Sequence, residues 1–218
     1  LNTIIRRSDG SFHGENTDWQ GIHLLLTSHH GRPSSCKDVG IVVGAGGTAR
    51  AAIYALQQSG FSNNRILVFN PRTKEKAETL AKHFGVTPLF TLTRSAIAST
   101  TNLPEFTIRT IVSTIPGSVG LTIEDGQLLD SQTEKPTVMD ASYIPSSTAF
   151  LLQCQTQFQV PPNQILRGID LLIAQGWFGM ESWMGKSLTQ DCKEEMAKEA
   201  REFAKLTETN TRNQSTQQ

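Results

Sequence analysis

Hydrophobic and polar positions fall into two patterns along this chain. Short apolar runs with almost no alternation, Val39-Gly40-Ile41-Val42-Val43 and Arg65-Ile66-Leu67-Val68-Phe69, read as strands buried on both faces. Residues 110–115 and 137–140 read as two further short strands. Between them apolar residues recur at helical spacing: Ala51, Ala52, Ala55 and Leu56 within 48–59, then Ala77, Leu80, Ala81 and Phe84 within 73–84. Gly60 and Gly85 stand where a helix C-cap belongs. A helix is predicted through Trp19, Ile22, Leu25 and Leu26, with Thr17 or Asp18 as its cap. A long amphipathic helix is predicted over 165–185 and a more charged one over 189–206. The opening Leu1-Asn2-Thr3-Ile4-Ile5 is strand-like, 11–16 is a polar turn and 31–35 a linker.

Strands separated by helices of this length form βαβ units and a parallel sheet. The predicted fold class is α/β, a doubly wound Rossmann-type parallel sheet with C-terminal helices. The last stretch, 207–218, is polar without periodicity and is expected to be a disordered tail. The first residues form an element that needs a partner, and no initiator Met precedes them, so the chain reads as a fragment of a longer polypeptide.

Composition narrows the function classes. The 218 residues hold 20 Lys+Arg and 20 Asp+Glu, so formal net charge is zero and no bulk field draws the chain to nucleic acid. No apolar run approaches the ~20 residues of a membrane span. Cys36, Cys154 and Cys192 are far apart with no CxxC. They argue against a disulfide scaffold or a cysteine metal site and suit a reducing, cytoplasmic compartment.

Gly44-Ala45-Gly46-Gly47-Thr48-Ala49 sits between the first buried strand and the Ala-rich helix. Gly44 allows a sharp turn, Gly46 lets the backbone approach a pyrophosphate, and Ala49 is small enough for close helix–strand packing. The helix N-terminus favours anions. A tight βα turn with no ligand is the plainer alternative. At the next strand end, where an acid would read a ribose 2′-OH, the chain has Asn70-Pro71-Arg72-Thr73-Lys74-Glu75-Lys76. Cations there suit a 2′-phosphate and so NADP over NAD, the alternative being a solvated helix start.

Three further segments carry polar groups. Asp18, in Gly14-Glu15-Asn16-Thr17-Asp18-Trp19-Gln20-Gly21, is either an N-cap or an acid on a cleft wall. Asp140-Ala141-Ser142-Tyr143-Ile144-Pro145 follows a strand, at the sheet edge where ligands sit. Gln175 interrupts an apolar helix face; it is a donor to a substrate oxygen or a buried amide bonded to backbone. Trp177, Phe178, Met180 and Trp183 read as core.

Together LNTII, GENTDWQGI, VVGAGGTARAA, NPRTKEKAETLA, IVSTIPG, MDASYIPSSTAFL and GIDLLIAQGWFGMESWMGK resemble the shikimate dehydrogenase family, which includes quinate/shikimate dehydrogenases. The form of these motifs resembles the fungal branch, where the domain ends a five-activity polypeptide of the shikimate pathway. The resemblance implies NADP-dependent hydride transfer between shikimate and 3-dehydroshikimate. It implies Asp18 as the acid of a catalytic Lys–Asp pair, and substrate contacts from Asn2, Thr17, Tyr143 and Gln175. It implies a pyrophosphate loop at Gly44, Ala45, Gly46, Gly47, Thr48 and Ala49. Asn70, Arg72, Thr73 and Lys74 would read the adenosine phosphate, with Pro71 an extra residue in that motif. Ser113, Thr114, Ile115 and Gly168 would lie near the nicotinamide.

The family's catalytic Lys lies before the first motif, so this chain is expected to hold only a remnant of the substrate lobe. Its segments are then 1–29 for the lobe remnant and connecting helix, 30–164 for the NADP domain, 165–206 for C-terminal helices, and the tail. Tethering to other domains is implied, with no nucleic-acid, membrane or metal partner. A quinate/shikimate dehydrogenase, or the dehydrogenase-like sensor domain of a quinate-pathway repressor, is the alternative.

Overall fold

The computed structural model describes the backbone of residues 1–130 and 132–215, with side chains through Lys205. The chain opens with a hairpin of β1 (Thr3–Arg6) and β2 (Phe12–Glu15), antiparallel with Thr3 opposite Glu15 and Arg6 opposite Phe12. The turn therefore lies upstream of the polar stretch expected to form it. Asp9 Oδ1 closes it, accepting from Ser11 N at 2.9 Å and Ser11 Oγ at 2.7 Å. A two-stranded ribbon leaves much of its surface open, so the segment FHGE needs no apolar alternation to be a strand.

The rest is a parallel sheet wrapped on both faces. In chain order come α1 (Asp18–Ser28), β3 (Asp38–Val43), α2 (Gly47–Gln58), β4 (Ile66–Phe69), α3 (Lys74–Phe84), β5 (Thr87–Leu89) and α4 (Arg94–Thr101). They are followed by β6 (Thr107–Ser113), β7 (Thr137–Asp140), α5 (Ala149–Thr156), β8 (Ile165–Leu166), α6 (Gly168–Met184) and α7 (Gln190–Ser215). The six strands lie in the order β5-β4-β3-β6-β7-β8 and every pairing is parallel. This is the doubly wound Rossmann arrangement. Winding reverses between β3 and β6, which opens a crevice beyond their carboxyl ends.

The two-residue period of the strands divides the core. Val42, Val68, Val112 and Met139 face one layer, which contains Ile22 and Leu26 of α1, Ala52, Ile53 and Leu56 of α2, Leu80 of α3 and Leu171 of α6. Ile41, Val43, Leu67, Ile111 and Val138 face the other, with Ile97 of α4 and Phe150, Leu151 and Cys154 of α5. Both faces of the central strands are therefore covered, which is why those strands read as unbroken apolar runs.

Several boundaries differ from expectation. β6 starts at Thr107 and stops at Ser113, leaving Thr114 and Ile115 in the loop beyond it. The segment expected to be helical from 165 begins instead as an edge strand, and α6 starts at Gly168. α7 does not stop at 206 but continues to Ser215, because 207–215 contain no Gly or Pro to break it. The last residues of the expected tail, 216–218, lie outside the described residues.

Candidate active site and nucleotide crevice

The glycine loop leaves β3 at its carboxyl end. Gly44 has φ +117°, and a Cβ there would collide with Thr114 Oγ1, so both backbone shape and packing demand glycine. Gly44 N donates to Phe69 O at 2.8 Å, and Thr114 Oγ1 donates to Val43 O at 2.9 Å, fixing the loop between its two neighbours. Gly46 is different. It caps α2 with an extended backbone that any residue adopts, and a Cβ there meets nothing within 4 Å. Nor does a Cβ at Gly47. The protein's own packing does not require these two glycines, and the backbone at both is exposed. No side chain caps α2 and no acid occupies its first turn, so its N–H groups and positive dipole end face outward. Ala45 and Thr48 are half-buried, and Ala49 is fully buried against the sheet. These features fit a pyrophosphate.

At the end of β4, Asn70 Oδ1 accepts from Arg72 N at 3.4 Å. Arg72 and Lys74 are exposed, and Thr73 is the N-cap of α3 without a side-chain cap bond. On the other side of the crevice a cleft of about 370 Å³ is lined by Thr48, Thr114, Ile115, Gly117, Ser142 and Tyr143 among others. Ser113, buried at the end of β6, lies opposite Asp140 in the sheet register. Gly168 opens α6, and a Cβ there would collide with the carbonyl of Ser142. Its smallness is set by that backbone contact.

The second cluster joins three separate parts of the chain. Asn2 Oδ1 accepts from Thr17 N at 2.8 Å, which turns its amide nitrogen toward Asp18 Oδ1, also at 2.8 Å. Asn2 Nδ2 also lies 3.1 Å from Thr17 Oγ1 and 3.3 Å from Gln175 Oε1. Thr17 Oγ1 donates to Gln175 Oε1 at 3.0 Å, and Gln175 Nε2 donates to Leu172 O at 3.0 Å. Gln175 thus binds backbone with one end of its amide and joins the polar cluster with the other. Neither candidate cap acts as one: Thr17 is the N-cap position but its side chain makes no cap bond. Asp18 instead receives Asn2, and burial raises its carboxyl pKa, opposed by that hydrogen bond. Tyr143, 53% exposed, belongs to the cleft wall and not to this hydrogen-bonded group.

The aromatic run of α6 departs from the core expectation. Trp177, Phe178 and Met180 are half-buried, and Trp183 is 59% exposed with its indole N–H donated to Ile4 O at 3.0 Å. Two residues of segments already singled out take roles the sequence reading did not assign. Gly21 lets α1 meet α6 closely, since a Cβ there would stand 2.8 Å from Gln175 N. Asp140 is buried beneath the cleft wall. A glycine at the fourth position of the helix carrying Asp18 was the available signal for the first.

No protein-family model matches the chain. The pentafunctional AROM polypeptide of Kluyveromyces lactis is 35% identical over 196 residues, 85% of this chain and 12% of that polypeptide. That of Candida glabrata is 33% identical over 84% of this chain, again 12% of the polypeptide. The dehydroquinate dehydratase and shikimate dehydrogenase structure from S. pombe AroM superposes with TM-score 0.64 at 26% identity, covering 89% of this chain and 36% of that one. The chain is similar to one segment of the AROM polypeptides and has the fold of the shikimate dehydrogenases. Shikimate 5-dehydrogenase from Thermus thermophilus, solved with NADP(H) and shikimate, gives TM-score 0.65 at 25% identity over 90% of this chain and 67% of its own. The chain spans about an eighth of the length of the AROM polypeptides it matches. Among the described residues no helix is long and apolar enough to cross a membrane, and no group of His, Cys, Asp and Glu could hold a metal ion.

Proposed function

We propose that this chain is the nucleotide-binding part of an NADP-dependent shikimate dehydrogenase, catalysing reversible hydride transfer between NADPH and 3-dehydroshikimate to give shikimate. The observation that carries the reading is the convergence of Asn2, Thr17, Asp18 and Gln175 in one hydrogen-bonded group. An open glycine cradle in the same fold supports it. In this reading the cradle, Gly44 to Ala49, holds the pyrophosphate through helix N–H groups. Asn70, Arg72, Thr73 and Lys74 meet the adenosine 2′-phosphate, and Arg72 can do so with two parallel hydrogen bonds. Ser113, Thr114, Ile115 and Gly168 flank the ring. A bound nicotinamide would supply or accept the hydride.

The chain's own groups handle orientation and the proton. Asn2, Thr17, Gln175 and Tyr143 fix ring hydroxyls, and such positioning supplies much of the rate. Hydride loss from an alcohol carbon requires its hydroxyl proton to leave. Asp18 orients and charges the group that takes it. No lysine is ion-paired with Asp18 among the described residues. The proton carrier belongs elsewhere in a larger cytoplasmic polypeptide to which this unit is tethered, with the end of the substrate lobe and its connecting helix at 1–29, the NADP domain at 30–164 and the C-terminal helices after it. The isolated chain binds NADPH but turns over slowly or not at all.

Parallel fluorescence titrations with NADPH and NADH test the reading. NADPH binds saturably, Gly46→Val abolishes binding, and Arg72→Ala weakens NADPH by about 10- to 100-fold while leaving NADH unchanged. Equal, non-saturable signals from both nucleotides would overturn it.

A further inference from the structure

The loop after β7, residues 141–147, forms one wall of the 370 Å³ cleft through Ala141, Ser142, Tyr143 and Ile144. One carboxylate ties both of its ends. Asp140, 2% exposed, accepts from Ser142 N at 3.1 Å through Oδ1 and from Thr148 Oγ1 at 2.8 Å through Oδ2. Thr148 in turn caps α5, its hydroxyl oxygen accepting from Leu151 N at 3.4 Å. An ionised carboxylate only accepts, so it makes Thr148 the donor and leaves that oxygen free to accept from the helix. Ala141 N donates to Ser113 O at 2.9 Å, anchoring the loop's first residue to β6.

Two glycines seat the same loop from outside. A Cβ at Gly168 would meet the Ser142 carbonyl, and one at Gly117 would stand 2.5 Å from Ser142 Oγ and 3.0 Å from Ile144 O. Ser142 Oγ donates to Ile144 O at 3.1 Å, tightening the middle of the loop. The wall is thus held at its start, its end and its back, and Asp140 is the group common to start and end.

We propose that Asp140 is a positioning residue: by bonding Ser142 and Thr148 together it sets the cleft wall against which the nicotinamide end of a dinucleotide lies. The proposal rests on the cofactor reading above. It places the effect at one end of the ligand only. In the sheet order, Asn70 and Arg72 lie on the β4 side of the glycine cradle and the Asp140 loop on the β6–β7 side. The adenosine end should not sense the clamp.

The test compares NADPH with 2′,5′-ADP, which carries the adenosine end alone, on the full 218-residue chain. Asp140→Leu keeps the volume and removes both acceptors, whereas an asparagine could still hold Thr148 by donating its Nδ2–H to the hydroxyl oxygen. Thr148→Val removes the donor, and Thr148→Ser restores it. Asp140→Leu and Thr148→Val are each expected to weaken NADPH about tenfold and leave 2′,5′-ADP unchanged, with Thr148→Ser matching the parent. Hydrogen exchange at 141–147 should quicken in the first two variants without ligand. NADPH affinity within twofold of the parent in both variants overturns the proposal, as does equal weakening of both nucleotides, the mark of general damage. If the parent binds neither nucleotide, the cofactor reading fails and this one falls with it.

Discussion

Asp18 is half-buried, so folding removes part of the water that stabilises its charge, and its pKa rises above the ordinary carboxylate value. The folded state then holds its proton more tightly than the unfolded one. Stability contributed by this group is greatest at acid pH and is lost as pH rises from the unfolded pKa through the raised folded pKa. Asp18→Asn keeps the acceptor for Asn2 and removes the charge. Its urea midpoint relative to the parent should therefore climb as pH increases across that window and level off above it, and a difference independent of pH would refute this account. The residue pattern made the glycine loop and its cations legible because their spacing is local. It did not reveal that Thr17 turns from capping to Gln175, because the competing partner lies on a helix more than 150 positions away. Trp183 looked like core by type, yet its indole needed a carbonyl and found one on the surface hairpin.

Packing between α1 and α6 depends on Gly21. Its missing Cβ leaves room for the Gln175 backbone, and Ile22 and Leu26 are then fully buried beside it. Gly21→Leu should push α6 outward, cost about 1–3 kcal/mol in urea unfolding, and separate Gln175 from Thr17. Retained stability with the cluster's hydrogen exchange unchanged would contradict this. At the level of elements, the long periodic helices and the buried central strands were readable. β5, α4, α5 and β8 were not. Each has eight residues or fewer, too few turns or alternations to establish a period, and each owes its conformation to the sheet or helices it packs on. Thr93 and Thr148 do carry local N-cap bonds, to Ala96 N and Leu151 N, the one sequence-level signal for α4 and α5.

For the molecule as a whole, α7 is a loosely attached addition. It is tied to α6 by Lys193–Glu181 at 3.0 Å and Arg201–Asp170 at 2.8 Å, both partly exposed pairs, and Ala197 is its buried apolar residue among those described. Exposed pairs contribute little. Ending the chain after Ser187 should lower stability by about 1–2 kcal/mol and leave NADPH affinity within twofold, measured by urea unfolding and titration. Loss of nucleotide binding would show that α7 supports the crevice. The doubly wound architecture was legible in the alternation of strands and helices; of the hairpin before it only β1 was, because the open-faced partner β2 lacks a hydrophobic signature.

The bond between Asn2 and Gln175 links positions 173 apart, whereas the glycine cradle is made of consecutive residues. Contacts of such range form late, since the chain between must first be ordered. During synthesis the glycine cradle can take shape while α6 is still untranslated. The surroundings of Asp18 wait for α6 and its Gln175, so this cluster is completed after the cradle.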